Sequence, residues 1–249
     1  MSKTSPSGNS GQCDDISHEV LGVVFQVRDD ALKVLLWRRA QAPEAGAWSL
    51  PVGPLSAAET LEDAVARHLA TKVDVRDLAH LEQLGTWSAV RRMPARRVVA
   101  TAYLGLVPTT SDPDTPDDTA WHQADRLPST AFDHGAVVTQ ALSRLRAKLA
   151  YTNIGFALAP EEFTMASLHR LYRAALGREI SVTNLQRVLL RRNVLAATGR
   201  VEPPGTSGGR PASCYRFRHH VLEVTDAFPV LRPRSTGRRH VPEPGGVAS

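Results

Sequence analysis

The stretch Gly53–Val75, GPLSAAETLEDAVARHLATKVDV, holds the groups best spaced to do chemistry. Five residues separate Gly53 from Glu59 and seven separate Glu59 from Arg67. Leu61, Val65 and Leu69 recur every fourth residue, which predicts a helix over Glu59–Ala70 with one face in a core. If the opposite face carried several carboxylates, it could hold a divalent metal against a pyrophosphate. Hard cations take oxygen ligands, and the metal must neutralise phosphate charge. The run after Arg67 instead reads His68-Leu69-Ala70-Thr71-Lys72. Lys72 adds a cation to the stretch, and Glu59 and Glu62 read as solvated helix charges. The stretch therefore predicts no catalytic residue, no metal ligand and no cofactor.

The elements that position this helix are legible on both sides of it. Leu21, Val23, Phe25 and Val27 alternate with other residues, and Lys33–Trp37 follows the turn-like Arg28-Asp29-Asp30. Together they predict a hairpin of half-buried strands. Arg38-Arg39, a loop with Pro43 and Gly46, and Trp48-Ser49-Leu50-Pro51-Val52-Gly53 lead into the helix. With Gly53, Glu59 and Arg67, this order resembles the Nudix box and its preceding loop. The positions that the family fills with Glu are His68, Thr71 and Lys72 here, and Asp74 stands where the box closes with Gly. The resemblance implies a Nudix-like α/β/α sandwich. Further strands are expected over Leu81–Ala89 and Val98–Val107 and from Trp121-His122, with a helix after Phe132-Asp133-His134-Gly135. Arg91, Arg92, Arg96 and Arg97 flank Pro94 in a basic loop read as a solvated turn or a rim for ligand phosphates. Asp133 and His134 could pair in catalysis, but ligand contact or helix capping suits them better. By position, the expected ligand contacts are Arg39, Trp48, Arg97 and Asp133.

The charge is split. Residues 1–140 carry 13 Lys and Arg against 18 Asp and Glu, and residues 141–249 carry 17 against 7. An acidic front and a basic back predict two units, the second facing a polyanion. The two cysteines, Cys13 and Cys214, have no metal-ligand spacing, which points to a reducing compartment. No apolar run approaches the roughly 20 residues of a membrane span. The opening residues lack the core of a signal peptide, so a cytosolic protein is expected.

Val138, Leu142, Leu145 and Leu149 form the stripe of a further helix, and the apolar stretch Tyr151–Pro160 should pack against a domain or a partner subunit. Thr164 is a plausible N-cap, Met165, Leu168, Leu171, Tyr172 and Ala175 a stripe, and Gly177 a stop. After a short turn, Leu185, Val188 and Leu189 define the buried face of a helix over Thr183–Arg192. Its outer side presents Thr183, Arg187 and Arg191, flanked by Asn184 and Gln186, whereas Arg192 lies nearer the apolar side. Two helices with a tight turn suit a helix-turn-helix. Short strands are expected over Val194–Thr198 and Ser213–Phe217, with Tyr215 and Phe217 alternating with Cys214 and Arg216. Arg210, flanked by Gly208-Gly209, would tip a basic wing that meets phosphate or a minor groove.

A damaged Nudix box followed by YTNIGFALAPEEF, TNLQRVLLRR and GGRPASCYRF resembles the Nudix-related transcriptional regulators called NrtR. The resemblance implies a homodimeric repressor of NAD-metabolism genes that binds a palindromic double-stranded operator. Its Nudix-like unit would sense ADP-ribose or a related metabolite. The expected organisation is a tail to residue 17, a Nudix-like α/β unit over 18–150, a winged helix-turn-helix over 151–230 and a basic tail over 231–249. DNA contacts are expected from Thr183, Asn184, Gln186, Arg187, Arg191, Arg210 and Arg216. Two alternatives are an active Nudix hydrolase of a nucleoside diphosphate derivative with an atypical metal site, and a regulator answering to a sugar metabolite.

Overall fold

The computed structural model describes residues 16–94, 96–203 and 211–226. Cys13, the expected wing tip with Arg210, and the tail over 231–249 lie outside the described residues. The front half is built on a seven-stranded mixed sheet: β1 (Ser17–Arg28), β2 (Ala31–Arg38), β3 (Trp48–Ser49), β4 (Val52–Pro54), β5 (His80–Trp87), β6 (Val98–Leu106) and β7 (Thr119–Gln123). The order β3-β2-β1-β6-β5 forms the main path, with β4 beside β1 and β7 beside β2. Strands β1 and β6 run parallel and the other pairs antiparallel.

The β1–β2 hairpin turns on Asp29 and Asp30, with φ of 51° and 55°. Two successive left-handed residues match the twist of the flanking strands. Half-burial of these strands is incorrect for β1. Val20 and Val24 enter one core while Leu21, Val23 and Phe25 enter the other. Pairing with β6 on one side, and with β4 and β2 on the other, makes β1 central, so both its faces are covered.

Helix α1 (Leu61–Val73) covers one face through Val65, Leu69 and Val73. It starts two residues later than the periodicity suggests because Thr60 caps it, accepting the Asp63 N–H, while Asp63 returns a bond to the Thr60 N–H. It ends at Asp74 in the left-handed conformation, φ 52°, which glycine takes with least strain. Helix α2 (His134–Tyr151) covers the other face with Val138, Leu142, Leu145 and Leu149. The sandwich expected from the sequence is thus formed.

A 3₁₀ turn, Ile154–Ala157, follows α2 and is fully buried. It carries the α2-side core without a break into Phe163, Leu168, Tyr172, Leu185, Leu189 and Phe217 of the second half. That half comprises β8 (Phe163–Thr164), α3 (Met165–Leu176), α4 (Val182–Arg191), β9 (Leu195–Glu202) and β10 (Ala212–Phe217), with strand order β8-β10-β9. Thr164 caps α3 in a reciprocal box with Ser167, Gly177 closes it at φ 66°, and Ser181 caps α4. Strict alternation in β10 is corrected. A register shift between Ser213 and Tyr215 turns Cys214 inward, so it is buried together with Phe217. Among the described residues no helix is long and apolar enough to cross a membrane.

Candidate functional site

The interior of the Gly53–Val73 stretch is closed by its own side chains. Arg67 grips Glu59 through two bonds, of 2.8 and 2.5 Å, and the Ser56 N–H donates to the same carboxylate at 2.8 Å. The Arg67 bonds, then the Ser56 N–H, hold Glu59 down to a pKa of about 2, and burial opposes them. His68 is buried, and its Nε2 lies 2.9 Å from the Pro54 carbonyl, which can only accept. The proton therefore sits on Nε2. Burial lowers the ring's pKa most, the Pro54 contact opposes this, and Arg67 and Lys72 lower it further. A methyl at Gly53 would stand 2.0 Å from His68 Cε1, so the imidazole requires glycine there. Lys72 Nζ donates to the Val52 carbonyl at 2.5 Å and lies 4.6 Å from the Trp37 ring centre. Burial lowers its pKa, Glu19 opposes this, and Arg39 and Arg67 add to the lowering. Thr71 Oγ donates back to the Arg67 carbonyl.

A divalent cation does not fit this arrangement. The ammonium of Lys72 and the guanidinium of Arg67 converge on the carbonyls of Val52 and Pro54, and like charges repel a metal ion. Among the described residues no group of three or more His, Cys, Asp or Glu could hold a metal.

Beside this helix, β3 and the start of α2 bring three of the four expected ligand contacts together. Arg39 donates to the Pro43 carbonyl at 3.0 Å, and its guanidinium lies 4.8 Å from the Phe132 ring centre. Trp48 is half-buried, with Arg38 4.4 Å over its ring and the His122 ring edge-on at 4.3 Å. Its carbonyl accepts the Ala131 N–H at 2.7 Å, which sets the strand against the approach to α2. Asp133 is engaged by Arg92 through bonds of 2.7 and 3.0 Å. Arg97 lies apart and ties its own loop, donating to the Ser88 and Ala89 carbonyls. Arg96 bonds Ser17 and Glu19. Three of the four loop arginines thus serve as internal ties rather than as a free rim.

Asp133 and His134 do not act as a pair. His134 Nδ1 accepts the Leu50 N–H at 3.1 Å and lies 3.0 Å from Ser49 Oγ. A ring whose Nδ1 accepts an N–H is neutral and protonated on Nε2. Burial brings its pKa to about 4, opposed by Asp133 and assisted by Arg92 and Arg39. The importance of Arg92 was not legible, because its partner lies 41 residues away; a lone Arg in a basic loop carries no signal of burial.

In the second half, α4 turns Leu185 and Leu189 inward and exposes Thr183, Asn184, Arg187 and Arg191; Gln186 is half-buried. Arg187 donates to Asn184 Oδ1 at 2.8 Å, one turn back on the same face. Val182 and Leu190 are also exposed, at 42% and 44%, so the outer surface can meet thymine methyls as well as polar base edges. Arg216 is exposed on β10, and Arg210 lies outside the described residues. Arg192 turns back into the protein, as its place on the helix suggests, and bonds the Ala150 carbonyl and Asp226.

A Nudix-type sandwich with Lys72 set in its box, sharing one core with a winged helix whose second helix is exposed and basic, fits a regulator built on the Nudix fold. Comparison with known proteins agrees. Residues 18–141 match the NUDIX domain, and residues 155–217 match the NrtR DNA-binding winged helix domain. The crystal structure of Shewanella oneidensis NrtR complexed with a 27mer DNA is 32% identical, covering 80% of this chain and 93% of that one, with a TM-score of 0.67. A second crystal structure, of Shewanella oneidensis NrtR, is likewise 32% identical, covering 81% of this chain and 94% of that one, with a TM-score of 0.69. The ADPR-responsive transcriptional repressor NtrR of Acinetobacter baylyi is 29% identical over 202 residues, 78% of this chain and 79% of that one. The chain belongs to the NrtR family.

Proposed function

We propose that the protein is a cytosolic, homodimeric transcriptional repressor of NAD-metabolism genes, released from DNA by ADP-ribose or a related metabolite. In this reading residues 18–150 bind the effector and residues 151–230 bind a palindromic operator. The observation that carries the effector role is the interior of the box, where His68 and Lys72 fill the carbonyl cradle of Val52 and Pro54. Such a site offers a pyrophosphate the charge of Lys72 where a hydrolase would offer metal-binding carboxylates. Arg39 and Trp48 are the side chains best placed to meet the ligand. Asp133 acts through Arg92, and Arg97 through its loop.

On the DNA side, Thr183, Asn184, Gln186, Arg187 and Arg191 form the reading surface, with Arg216 on the wing side. A helix of about 10–12 Å fits a major groove about 12 Å wide. A two-fold dimer would set two such helices about 34 Å apart, in successive grooves. The DNA complex of the Shewanella relative and the ADPR response named for the Acinetobacter relative support this reading. A mobility-shift titration on the promoter regions of NAD-metabolism genes, with and without ADP-ribose, tests it. Specific binding weakened by ADP-ribose is expected, and binding indifferent to the nucleotide defeats the sensing role. Incubating the protein with ADP-ribose and Mg²⁺ or Mn²⁺ should give no sustained turnover; steady hydrolysis would instead make it an enzyme.

A further inference from the structure

At its C-terminal end the candidate recognition helix is tied to the front half by the side chain of Arg192. Arg192, the residue that closes α4, sends its guanidinium to the carbonyl of Ala150, in the last turn of α2, and to Asp226 Oδ2 at 3.0 Å. Its side chain is only 10% exposed. The carbonyls of a helix's last turn have no partner within the helix and carry its negative end, so a buried cation there is well matched. The segment that follows β10 docks on the same place. The N–H groups of Thr225 and Asp226 both donate to the Tyr151 carbonyl, at 2.9 and 3.2 Å. The candidate recognition helix and the segment after β10 therefore meet at the C-terminal end of α2.

The other end of α2 lies in the candidate effector site. Arg92 holds Asp133, and the His134 ring takes the Leu50 N–H beside Trp48. The 18 residues between these fastenings make a rod about 27 Å long. The joint around Arg192 is tight. A methyl at Gly155 would stand 2.4 Å from the Tyr172 hydroxyl, and Tyr172 Oη and Arg192 Nε are both buried with no hydrogen-bond partner among the described residues. Close-packed joints pass displacement on rather than absorbing it.

We propose that Arg192 is a positioning residue that sets α4 against the end of α2 and so makes operator binding answer to the effector. Arg192 touches neither DNA nor effector in this scheme. It fixes the angle at which α4 is presented, and a shift of α2 at Asp133 and His134 reaches α4 through the Ala150 carbonyl. The inference rests on the effector reading proposed above.

The test compares wild type, Arg192→Ala, Arg192→Lys and Asp226→Ala in the full-length protein. ADP-ribose affinity is measured by calorimetry, and operator affinity with and without ADP-ribose by fluorescence anisotropy. Wild type should show a ratio in the range of about 5- to 150-fold typical of allosteric coupling. Arg192→Ala should bind ADP-ribose as wild type does while the ratio falls to within about twofold of unity, with Arg192→Lys and Asp226→Ala between. An unchanged ratio in Arg192→Ala overturns the proposal. So does loss of ADP-ribose affinity in both Arg192 variants, which would mark a role in folding alone. A wild-type ratio of one would instead remove the effector reading itself, and this inference with it.

Discussion

The acid stability of the front half should turn on His134. The ring is 2% exposed, its Nδ1 accepts the Leu50 N–H, and burial holds its pKa at about 4. In an unfolded chain histidine titrates near about 6.5. The folded value lies below the unfolded one, so the neutral ring's contribution is complete above about pH 6.5. It declines as the pH falls and is gone below about 4. Each pH unit in that window corresponds to about 1.4 kcal/mol, which gives a loss of about 2.5 kcal/mol by about pH 4.5. His134→Asn isolates this effect, because Asn Oδ1 can stand where Nδ1 stands and accept the same N–H without titrating. Urea unfolding followed by tryptophan fluorescence, at about pH 7.5 and about pH 4.5, measures the difference. Wild type should lose about 2–3 kcal/mol more than the variant. If both lose the same amount, His134 is not buried neutral and its assignment as a structural tie fails.

Other outcomes follow from the same geometry. Arg187→Ala should weaken operator binding by about 1–3 kcal/mol per half-site and relax base preference, the worth of a bidentate base contact; full-strength binding in a mobility-shift titration would refute its role. ADP-ribose affinity measured by calorimetry should be equal in EDTA and in Mg²⁺, and Lys72→Glu should lower it by about tenfold or more, since charge-assisted contacts are worth about 1.5–3 kcal/mol. A strict Mg²⁺ requirement would show that a metal binds despite Lys72. Arg92→Met should cost about 3 kcal/mol in thermal or urea stability, because it strands the partly buried Asp133 carboxylate. A double-mutant cycle with Asp133→Asn should return a coupling of about 1.5–3 kcal/mol, and additive effects would mean that the pair does not hold α2.

The elements legible in the sequence are those made by near neighbours. The α1 and α3 stripes, the Thr164 cap, the Gly177 stop and the outward face of α4 each depend on residues within about two turns of one another, where helical spacing decides the contacts. What could not be read depends on partners far along the chain. Full burial of β1 needs β6, about 80 residues on, with paired registers such as Leu21 to Ala102. Asp133 reads as a ligand contact, and its hold by Arg92, 41 residues away, appears only in the fold. The alternation expected in β10 fails at one register shift, and no local pattern marks such a bulge. The box lies between these cases. Its frame was legible from spacing, and so was the clash of Lys72 with a metal. The use made of Lys72 and His68, as donors to the Val52 and Pro54 carbonyls, required the fold.

Substitution in the box and continuity of the core bear on the same question, how a bound nucleotide could move a helix in the other half. An enzyme that destroys its ligand holds it only for a turnover. A site that returns it intact is occupied in proportion to its concentration, and occupancy is what can bias an equilibrium. The bias must come from unequal affinity for two arrangements of the protein. Those arrangements cannot differ by a loose hinge at Tyr151–Pro160, because Ile154, Phe156 and Leu158 are buried in the core that both halves share. Packed cores move between discrete states rather than bending continuously. The remaining freedom is sliding or rotation of α2 with the elements fastened to its ends. Its fastening at Arg192, at the end of α2 away from the effector site, is therefore where loss of a few hydrogen bonds should uncouple sensing from DNA binding while leaving each activity in place.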